Sequence, residues 1–244
     1  MQVQFIGSGD AFGSGGRFNT CIHITGEHVN FLLDCGASSL IALKSRLVAL
    51  NRIDLILVTH FHADHFGGIP FFILNAQFSK RLEPLVIAGP SGLAAWYRQA
   101  MEAAFPGSSG IQQRFEISLQ ELPPHETHTI GDVVVTSFPV EHGNPGGPCH
   151  AYRLEVEGRT IAYTGDTEWT DELIAAGMGA DLLIAEAYFF DKKVRMHLDW
   201  SSLEKHLSQM KPKRVILTHM GNDMLAHKDE VRHEMAEDGK IIDI

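Results

Sequence analysis

The stretch that decides the fold of this chain is Thr59-His60-Phe61-His62-Ala63-Asp64-His65-Phe66-Gly67-Gly68. It directly follows the apolar run 55–58, which predicts a strand that ends at this stretch. In an extended segment, residues two apart point the same way, so His60 and His62 can converge on one point. Asp64 and His65 can then face a second point close by. Imidazole and carboxylate groups without thiolates suit Zn²⁺ and are typical of catalytic sites, so the stretch predicts two adjacent metal sites.

The composition is that of an ordinary globular protein. The chain has 244 residues, 44% of them hydrophobic, and shows no long linker, so we expect one domain over residues 1–244. The net charge of −10 argues against a long nucleic acid as partner, because such a partner needs a cationic surface. A small phosphoester is still allowed, since metal ions can supply positive charge locally.

The sequence shows no feature of secretion or of a membrane protein. The first residues enter a strand-like alternation without a signal-peptide pattern, and no run approaches 18 apolar residues. The three cysteines form no CxxC pair, which predicts reduced thiols. We therefore expect a cytoplasmic protein with no membrane contact.

Strands and helices are predicted in turn along the chain. Strands are expected at 3–6, 20–25, 30–34, 53–59, 85–88, 113–119, 127–130, 133–139, 150–155, 160–164, 182–186, 215–218 and 241–244. Helices are expected at 38–50, from 70 onward, at 92–104, 172–177 and 201–210, and as a charged helix at 228–237. Each half of the chain carries a strand that ends in Thr-His, at 59–60 and 218–219. This repeat suggests two sheets, each with strand ends that contribute residues to a site.

Further metal-ligand candidates stand where later strands stop. His142 follows the strand at 133–139 and precedes a Gly- and Pro-rich segment, 143–148, that predicts a loop. Asp166 follows a strand broken at glycine, and His219 ends the strand at 215–218. Taken singly, each is more typical of a surface or capping residue. Together with the histidine stretch, they supply the ligands that one loop cannot.

These residues resemble the pattern of the metallo-β-lactamase-fold hydrolases. The matching positions, in order, are His60, His62, Asp64, His65, His142, Asp166 and His219. The resemblance implies an α/β fold, a four-layer αββα sandwich of two mixed β-sheets flanked by helices. It also implies that His60, His62 and His142 hold one metal and Asp64, His65 and His219 a second, with Asp166 bridging them.

A finer resemblance is to the ribonuclease Z-like and cyclic-phosphodiesterase branch. It is carried by the glycine-rich opening 5–12 with 17–20, by Glu186 in Glu-Ala-Tyr, and by His197 in His-Leu-Asp. In that branch the histidine contacts the scissile phosphate or assists proton transfer, steadied by the glutamate. Ribonuclease Z proper has an RNA-gripping arm between the positions of His142 and Asp166, where this chain has only 23 residues. We therefore expect a small substrate rather than tRNA.

The prediction is a binuclear metal-dependent hydrolase for a small phosphodiester such as a cyclic nucleotide. Asp64 would bind metal and accept a proton, His197 would donate toward the leaving oxygen, and Glu186 would orient His197. Two divalent ions are expected, Zn²⁺ first, with Mn²⁺ or Fe²⁺ as alternatives. A homodimer is compatible with the sequence.

Other functions stay open beside this one. The same centre can hydrolyse a lactone, thioester or β-lactam, and tRNA 3′-processing is a further alternative. A non-catalytic metal-binding scaffold is the alternative outside enzymes, although scaffolds of this kind usually lose ligands. A redox diiron centre is disfavoured, because that branch has a glutamate at the position of His62.

Overall fold

Two seven-stranded sheets dominate the computed structural model, which describes residues 1–143 and 147–244. The strands are β1 (Gln2–Gly7), β2 (Cys21–Thr25), β3 (Asn30–Leu33), β4 (Leu55–Leu57), β5 (Leu85–Gly89), β6 (Ile117–Glu121), β7 (Thr127–Ile130), β8 (Val133–Val140), β9 (Cys149–Val156), β10 (Arg159–Tyr163), β11 (Leu182–Glu186), β12 (Val215–Thr218), β13 (Glu234–Met235) and β14 (Ile241–Asp243). The segment 143–148, predicted as a loop, includes residues 144–146, which lie outside the described residues.

The helices are short and connect the strands. They are α1 (Ser39–Ser45), α2 (Ala63–Phe66), α3 (Ile69–Phe78), α4 (Leu93–Ala104), α5 (Glu172–Gly177), α6 (Trp200–Met210) and α7 (Asn222–Ala226), with 3₁₀ turns at Ser14–Gly16, Leu50–Arg52, Ser108–Gly110 and Lys228–Glu230. Asp199 caps α6 by accepting a hydrogen bond from the Ser202 amide at 2.9 Å. Within the two described ranges, every helix is too short or too polar to cross a bilayer.

The two sheets share one plan. The first has the order β14-β1-β2-β3-β4-β5-β6 and the second β13-β12-β11-β10-β9-β8-β7. Pairing is antiparallel among β14, β1, β2 and β3 and parallel from β3 to β6. In the second sheet it is antiparallel from β7 to β10 and parallel from β10 to β13. Each sheet therefore has adjacent parallel strands whose carboxyl ends lie at one edge.

Apolar side chains fill three layers between and outside the sheets. One cluster packs the two sheets together and includes Phe5 and Phe31 from the first sheet and Tyr152 and Ile184 from the second. A second cluster joins the first sheet to α1, α3 and α4, and a third joins the second sheet to α5, α6 and α7. Because helices cover both outer faces, β4 and β12 are buried on both sides and consist almost entirely of apolar residues. The predicted αββα sandwich is confirmed.

The charged helix predicted at 228–237 is wrong. A 3₁₀ turn and the short strand β13 occupy this segment, and β13 pairs in parallel with β12, placing Glu234 opposite Ile216. Glu234 accepts hydrogen bonds from Arg214 at 2.7 and 2.9 Å and lies 2.9 Å from the Lys240 ammonium. The segment has no apolar stripe of helical period, so pairing with the open edge of β12 outweighs helix propensity.

Arg81 is a fully buried cation that fastens the turn before β5. Only 1% of it is exposed, and its guanidinium donates to the carbonyls of Leu50, Ile53, Glu83 and Pro84 at 2.6–3.2 Å. The group lies 5.4 Å from the Phe115 ring centroid. Burial lowers the pKa of Arg81, so the carbonyl contacts are needed to keep its charge inside the protein.

We expect Arg81→Met to lower the free energy of unfolding by about 3 kcal/mol, because it leaves several buried carbonyls without a donor. Urea denaturation followed by circular dichroism would measure the loss. Arg52→Met, at a nearby exposed position, is the control and should change stability by less than about 0.5 kcal/mol. Equal losses in the two variants would contradict this account of Arg81.

Candidate metal and active site

The candidate residues meet where parallel strands of both sheets end. The segment after β4 carries His60, the turn after β10 carries Asp166, Glu186 is the last residue of β11, and His219 directly follows β12. His60, Asp166, Glu186 and His219 are each no more than 2% exposed. The two similar halves thus bring their strand ends to one place, as the repeated Thr-His ending suggests.

Three imidazoles form the first cluster. His60 Nε2 lies 3.1 Å from His62 Nδ1, which lies 3.0 Å from His142 Nε2. His62 has extended backbone angles (φ −64°, ψ 149°) at the residue before α2, so His60 and His62 converge by the two-residue period of an extended segment. The arrangement is one of three groupings in the described residues that could hold a metal ion.

The second cluster combines two carboxylates with two imidazoles. α2 turns Asp64 and His65 inward, where Asp64 Oδ2 lies 3.1 Å from His219 Nε2 and 3.3 Å from His65 Nε2. Asp166 Oδ1 and Oδ2 lie 3.3 Å from His65 and His219, respectively. Asp166 Oδ2 also lies 3.6 Å from His142 Nε2 of the first cluster. Asp166 therefore stands between the two clusters.

The donor atoms of both clusters suit a metal cation. His142 Nδ1 donates to the Met196 carbonyl at 2.6 Å and His65 Nδ1 to Asp34 at 2.8 Å, so Nε2 of each ring faces the site and is the atom that could bind a metal ion. Around tetrahedral Zn²⁺, ligand atoms are roughly 3.3 Å apart. Asp166 Oδ1 is buried and, within residues 1–143 and 147–244, has no hydrogen-bond partner. Acceptors that face one another at these distances are stabilised by a cation between them.

The two clusters differ in their electrostatics. Burial lowers the pKa of His60 well below its usual value, and the charge of His65 adds to this effect, so His60 offers a neutral imidazole to the first cluster. For His219, burial opposes protonation, but Asp166 and the hydrogen bonds of Asp64 and Glu186 raise the pKa to about 10. A divalent cation that enters the second cluster would therefore release protons.

Glu186 and His197 form a pair beside the two clusters. Glu186 Oε1 accepts a hydrogen bond from His197 Nδ1, and Oε2 accepts from the amides of Thr167 at 2.8 Å and Leu198 at 3.2 Å. Burial disfavours protonation of His197, but the hydrogen bond and charge of Glu186 outweigh it and raise the pKa. The structure thus brings His197 and Glu186 together, as the finer resemblance implies.

A cavity of about 270 Å³ opens onto the clusters. The cavity is lined by residues of the two clusters and by His197, and these include Asp64, Asp166 and His219. Two loops supply the rest of the lining: Ala11 and Phe12 from one, and Tyr188 and Met196 from the other.

Asp34 is a site residue that the sequence prediction missed. Its carboxylate is fully buried and accepts hydrogen bonds from the Thr59 amide at 2.7 Å, the Thr59 hydroxyl at 2.9 Å, His65 Nδ1 at 2.8 Å and the Tyr163 hydroxyl at 2.9 Å. The sequence does contain a signal for it, because Asp34 stands at the end of an apolar strand, and Asp166 was predicted as a site residue by the same criterion.

We expect Asp34→Asn to weaken binding of Zn²⁺ about 10- to 100-fold, because the amide cannot accept from His65 and Thr59 as the carboxylate does. Asp34 has a left-handed φ of 58°, which asparagine also tolerates, so the backbone should hold. Competition with a chromophoric chelator would measure the affinity. Tyr163→Phe is the matched control, since it removes one donor to Asp34 without touching His65. Unchanged affinity in Asp34→Asn would show that Asp34 does not position His65.

Known proteins resemble this chain over its whole length. Ribonuclease Z of Methanosarcina acetivorans is 24% identical over 294 aligned positions, which cover 100% of this chain and 94% of the relative. Human tRNase Z, short form, superposes with a TM-score of 0.82 at 24% identity and covers 100% of this chain and 99% of that one. A diphosphatase from the PhnP family superposes with a TM-score of 0.79 at 18% identity, covering 100% and 97%. The two structural likenesses show the shared fold.

The prediction that excluded a long nucleic acid is wrong. A ribonuclease by name aligns with this chain from end to end, and a tRNase by name has its fold. The prediction relied on the net charge, which averages the whole surface. Locally, Lys192, Lys193 and Arg195 are exposed and come just before His197, so the chain has a cationic segment beside its site.

The family assignment follows from the match to a family model. The model described as "Beta-lactamase superfamily domain" matches residues 29–220, which span β3 to β12 and all seven residues of the two metal-ligand clusters. The chain belongs to this superfamily and is a metal-dependent hydrolase, and within the superfamily it is similar over its whole length to proteins named ribonuclease Z.

Proposed function

We propose that this protein is a binuclear metal-dependent phosphodiesterase that hydrolyses small phosphodiesters such as cyclic nucleotides. The observation that carries the proposal is the pair of Glu186 and His197 next to the two ligand clusters, with His197 lining the cavity that opens onto them. A hydrolase needs charge to stabilise the phosphoryl oxygens and a proton donor for the leaving oxygen, and this cavity offers groups suited to both tasks.

The proposed ligand sets follow the two clusters. His60, His62 and His142 hold one divalent ion, and Asp64, His65 and His219 the other, with Asp166 shared. Bound there, the two cations would acidify a water and neutralise the phosphoryl oxygens. We propose Zn²⁺ as the resident metal, because imidazole and carboxylate ligands near tetrahedral spacing suit it.

Asp64 and His197 divide the proton transfers. Asp64 lies at the cavity and its pKa is lowered, because the charge of His65 and the hydrogen bond of His219 outweigh burial. It is therefore ionised and would orient the attacking water by accepting its hydrogen bond; the two cations would make that water acidic enough to pass its proton to Asp64. His197 binds Glu186 through Nδ1, which leaves Nε2 to donate to the leaving oxygen.

Glu186 is a positioning residue. It is fully buried, and its four contacts, to His197, His219 and two backbone amides, hold its carboxylate in one orientation. His197 is about a quarter exposed and so can reach a substrate while Glu186 cannot. The raised pKa of His197 keeps the proton available for donation.

Hydrolysis at carbon is the rival reaction. A lactone or β-lactam also needs the metal centre, a water and a proton for its leaving group, so the two reactions differ in the electrophile that the site accepts. Relatives with the same fold that are named for phosphoester or diphosphate chemistry, the ribonuclease Z and the PhnP-family diphosphatase, support the phosphoryl reaction.

Cleavage of RNA near its 3′ end is a second candidate for the same centre. A groove of about 290 Å³ shares His197 with the catalytic cavity, and its lining includes Lys193, Arg195 and Trp169 together with the carboxylates of Glu168 and Asp199. Cationic side chains beside an aromatic ring are typical of surfaces that bind single-stranded nucleic acid. We infer that an RNA strand that continues beyond the scissile phosphate would lie in this groove.

A substrate panel tests the proposed function. We expect the zinc-loaded protein to hydrolyse bis-p-nitrophenyl phosphate and 2′,3′- or 3′,5′-cyclic nucleotides at least 100-fold faster than γ- and δ-lactones. An RNA with a 3′ extension, assayed at several salt concentrations, tests the second candidate. Asp64→Ala, with metal content measured, is the inactive control. Faster turnover of lactones, or full activity of Asp64→Ala, would contradict the proposal.

We expect His197→Gln to lower kcat for cyclic nucleotides by about 10²- to 10⁴-fold with zinc content unchanged, because a general acid is lost and no proposed ligand is touched. The loss should be much smaller for bis-p-nitrophenyl phosphate, whose nitrophenolate leaves without a proton. Glu186→Gln should show the same dependence on leaving group at smaller amplitude. Equal losses on both substrates would exclude His197 as the acid.

A further inference from the structure

Phe12 is an aromatic residue exposed at the mouth of the catalytic cavity. It is 85% exposed, yet it lines the cavity together with Asp64, His142 and His197. Phe78 on α3 is 84% exposed and lines none of the cavities described for residues 1–143 and 147–244. What distinguishes Phe12 from Phe78 is therefore its place: its exposed ring lies beside the residues proposed to bind and cleave the substrate.

The loop that carries Phe12 is held in one shape. Asp10 is fully buried and accepts hydrogen bonds from the Phe12 amide at 3.2 Å, the Ser14 amide at 2.8 Å and the Ser14 hydroxyl at 2.7 Å. Gly13 between them has a left-handed φ of 68°, which other residues rarely adopt. The Asn19 side chain donates to the Asp10 carbonyl at 3.1 Å. Phe12 is therefore presented on a fixed turn.

The same loop faces the cavity of the catalytic histidine. Tyr188 lines the cavity together with Ala11 and Phe12, and its ring lies against His197 with the centroids 4.5 Å apart. Phe12 and the imidazole of His197 therefore face the same cavity, with Tyr188 beside them. A planar group held by Phe12 has a defined position relative to the scissile phosphate.

We propose that Phe12 recognises a planar aromatic group on the substrate, a nucleobase or an aryl group, by stacking on it next to the phosphate. This inference rests on the proposed function and names its substrate class: phosphodiesters with an aromatic substituent. A phenyl face offers no hydrogen bonds, so it selects aromatic over aliphatic substituents without distinguishing among the bases. The ring carries no charge and does not compete with the metal-ligand clusters for the phosphate.

Ligand binding tests Phe12 separately from catalysis. By isothermal titration calorimetry, zinc-loaded wild-type protein should bind adenosine 5′-monophosphate about tenfold more tightly than ribose 5-phosphate, which lacks the base. Phe12→Ala should bind the two equally, and Phe12→Trp should restore the preference. Phe78→Ala is the matched control and should keep it. The preference should be similar for the uridine nucleotide.

A pair of esters with one leaving group supplies the kinetic test. Phe12→Ala should lower kcat/KM about tenfold for adenosine 2′,3′-cyclic phosphate and leave it unchanged for the 2,3-cyclic phosphate of methyl riboside, which has the same leaving hydroxyl and lacks the base. A wild type that binds both 5′-phosphates equally, or Phe12→Ala that keeps the preference, overturns the role of Phe12 while the proposed function stands. A preference that depends on Phe12 in a protein that cleaves no phosphodiester supports the role of Phe12 and overturns the proposed function.

Discussion

The buried carboxylate of Asp34 is the constraint on which the site depends. It lies directly after β3, in a left-handed conformation, and accepts hydrogen bonds from Thr59 after β4, from His65 on α2 and from Tyr163 at the end of β10. A buried anion is costly unless it is fully hydrogen-bonded. Its partners come from both sheets, so the hydrogen bonds that compensate for burying the carboxylate also hold the two sheets together at the site.

The orientation of the second cluster follows from this constraint. The hydrogen bond between Nδ1 of His65 and Asp34 fixes the orientation of the imidazole ring, so Nε2 points toward Asp64, Asp166 and His219. The first cluster has an equivalent support, since the Met196 carbonyl holds His142 Nδ1. Each cluster thus has an imidazole whose Nε2 is oriented by a partner outside the cluster, as is usual for metal-binding histidines.

Much of the fold and of the site was predictable from the sequence, because two local rules decide both. Period-two geometry brings His60 and His62 together, and the carboxyl ends of neighbouring parallel strands place Asp166, Glu186 and His219 at one edge. The β13 segment was not predictable in this way, because its pairing with β12 is a contact between elements. Asp34 was missed because a strand-end carboxylate was considered only as a metal ligand and not as a partner of one.

The error about the nucleic acid has an electrostatic cause. In physiological salt, charges more than about 8 Å apart are largely screened, so the net charge of −10 says little about the surface beside the cavity. What matters there is the local set of charges: the two proposed cations in the cavity, and the groove that shares His197, where Lys193 and Arg195 stand beside Glu168 and Asp199. An acidic protein can therefore present a cationic site to a polyanion.

Sheet edges and loops have separate tasks in this structure. The groups proposed to bind metal lie at strand ends and on α2, and almost all of them are buried. Loops carry Phe12, Tyr188 and Met196, and also the cationic segment of Lys192, Lys193 and Arg195. Two contacts join the parts: Tyr188 packs on His197, and Met196, with a strained left-handed φ of 75°, gives its carbonyl to His142. Substitutions in the loops that spare these two contacts can change which phosphodiester is selected without disturbing the metal-ligand clusters. The two substrates proposed above, a small phosphodiester and an RNA strand, would use the same catalytic centre, and under this proposal the loops would select between them.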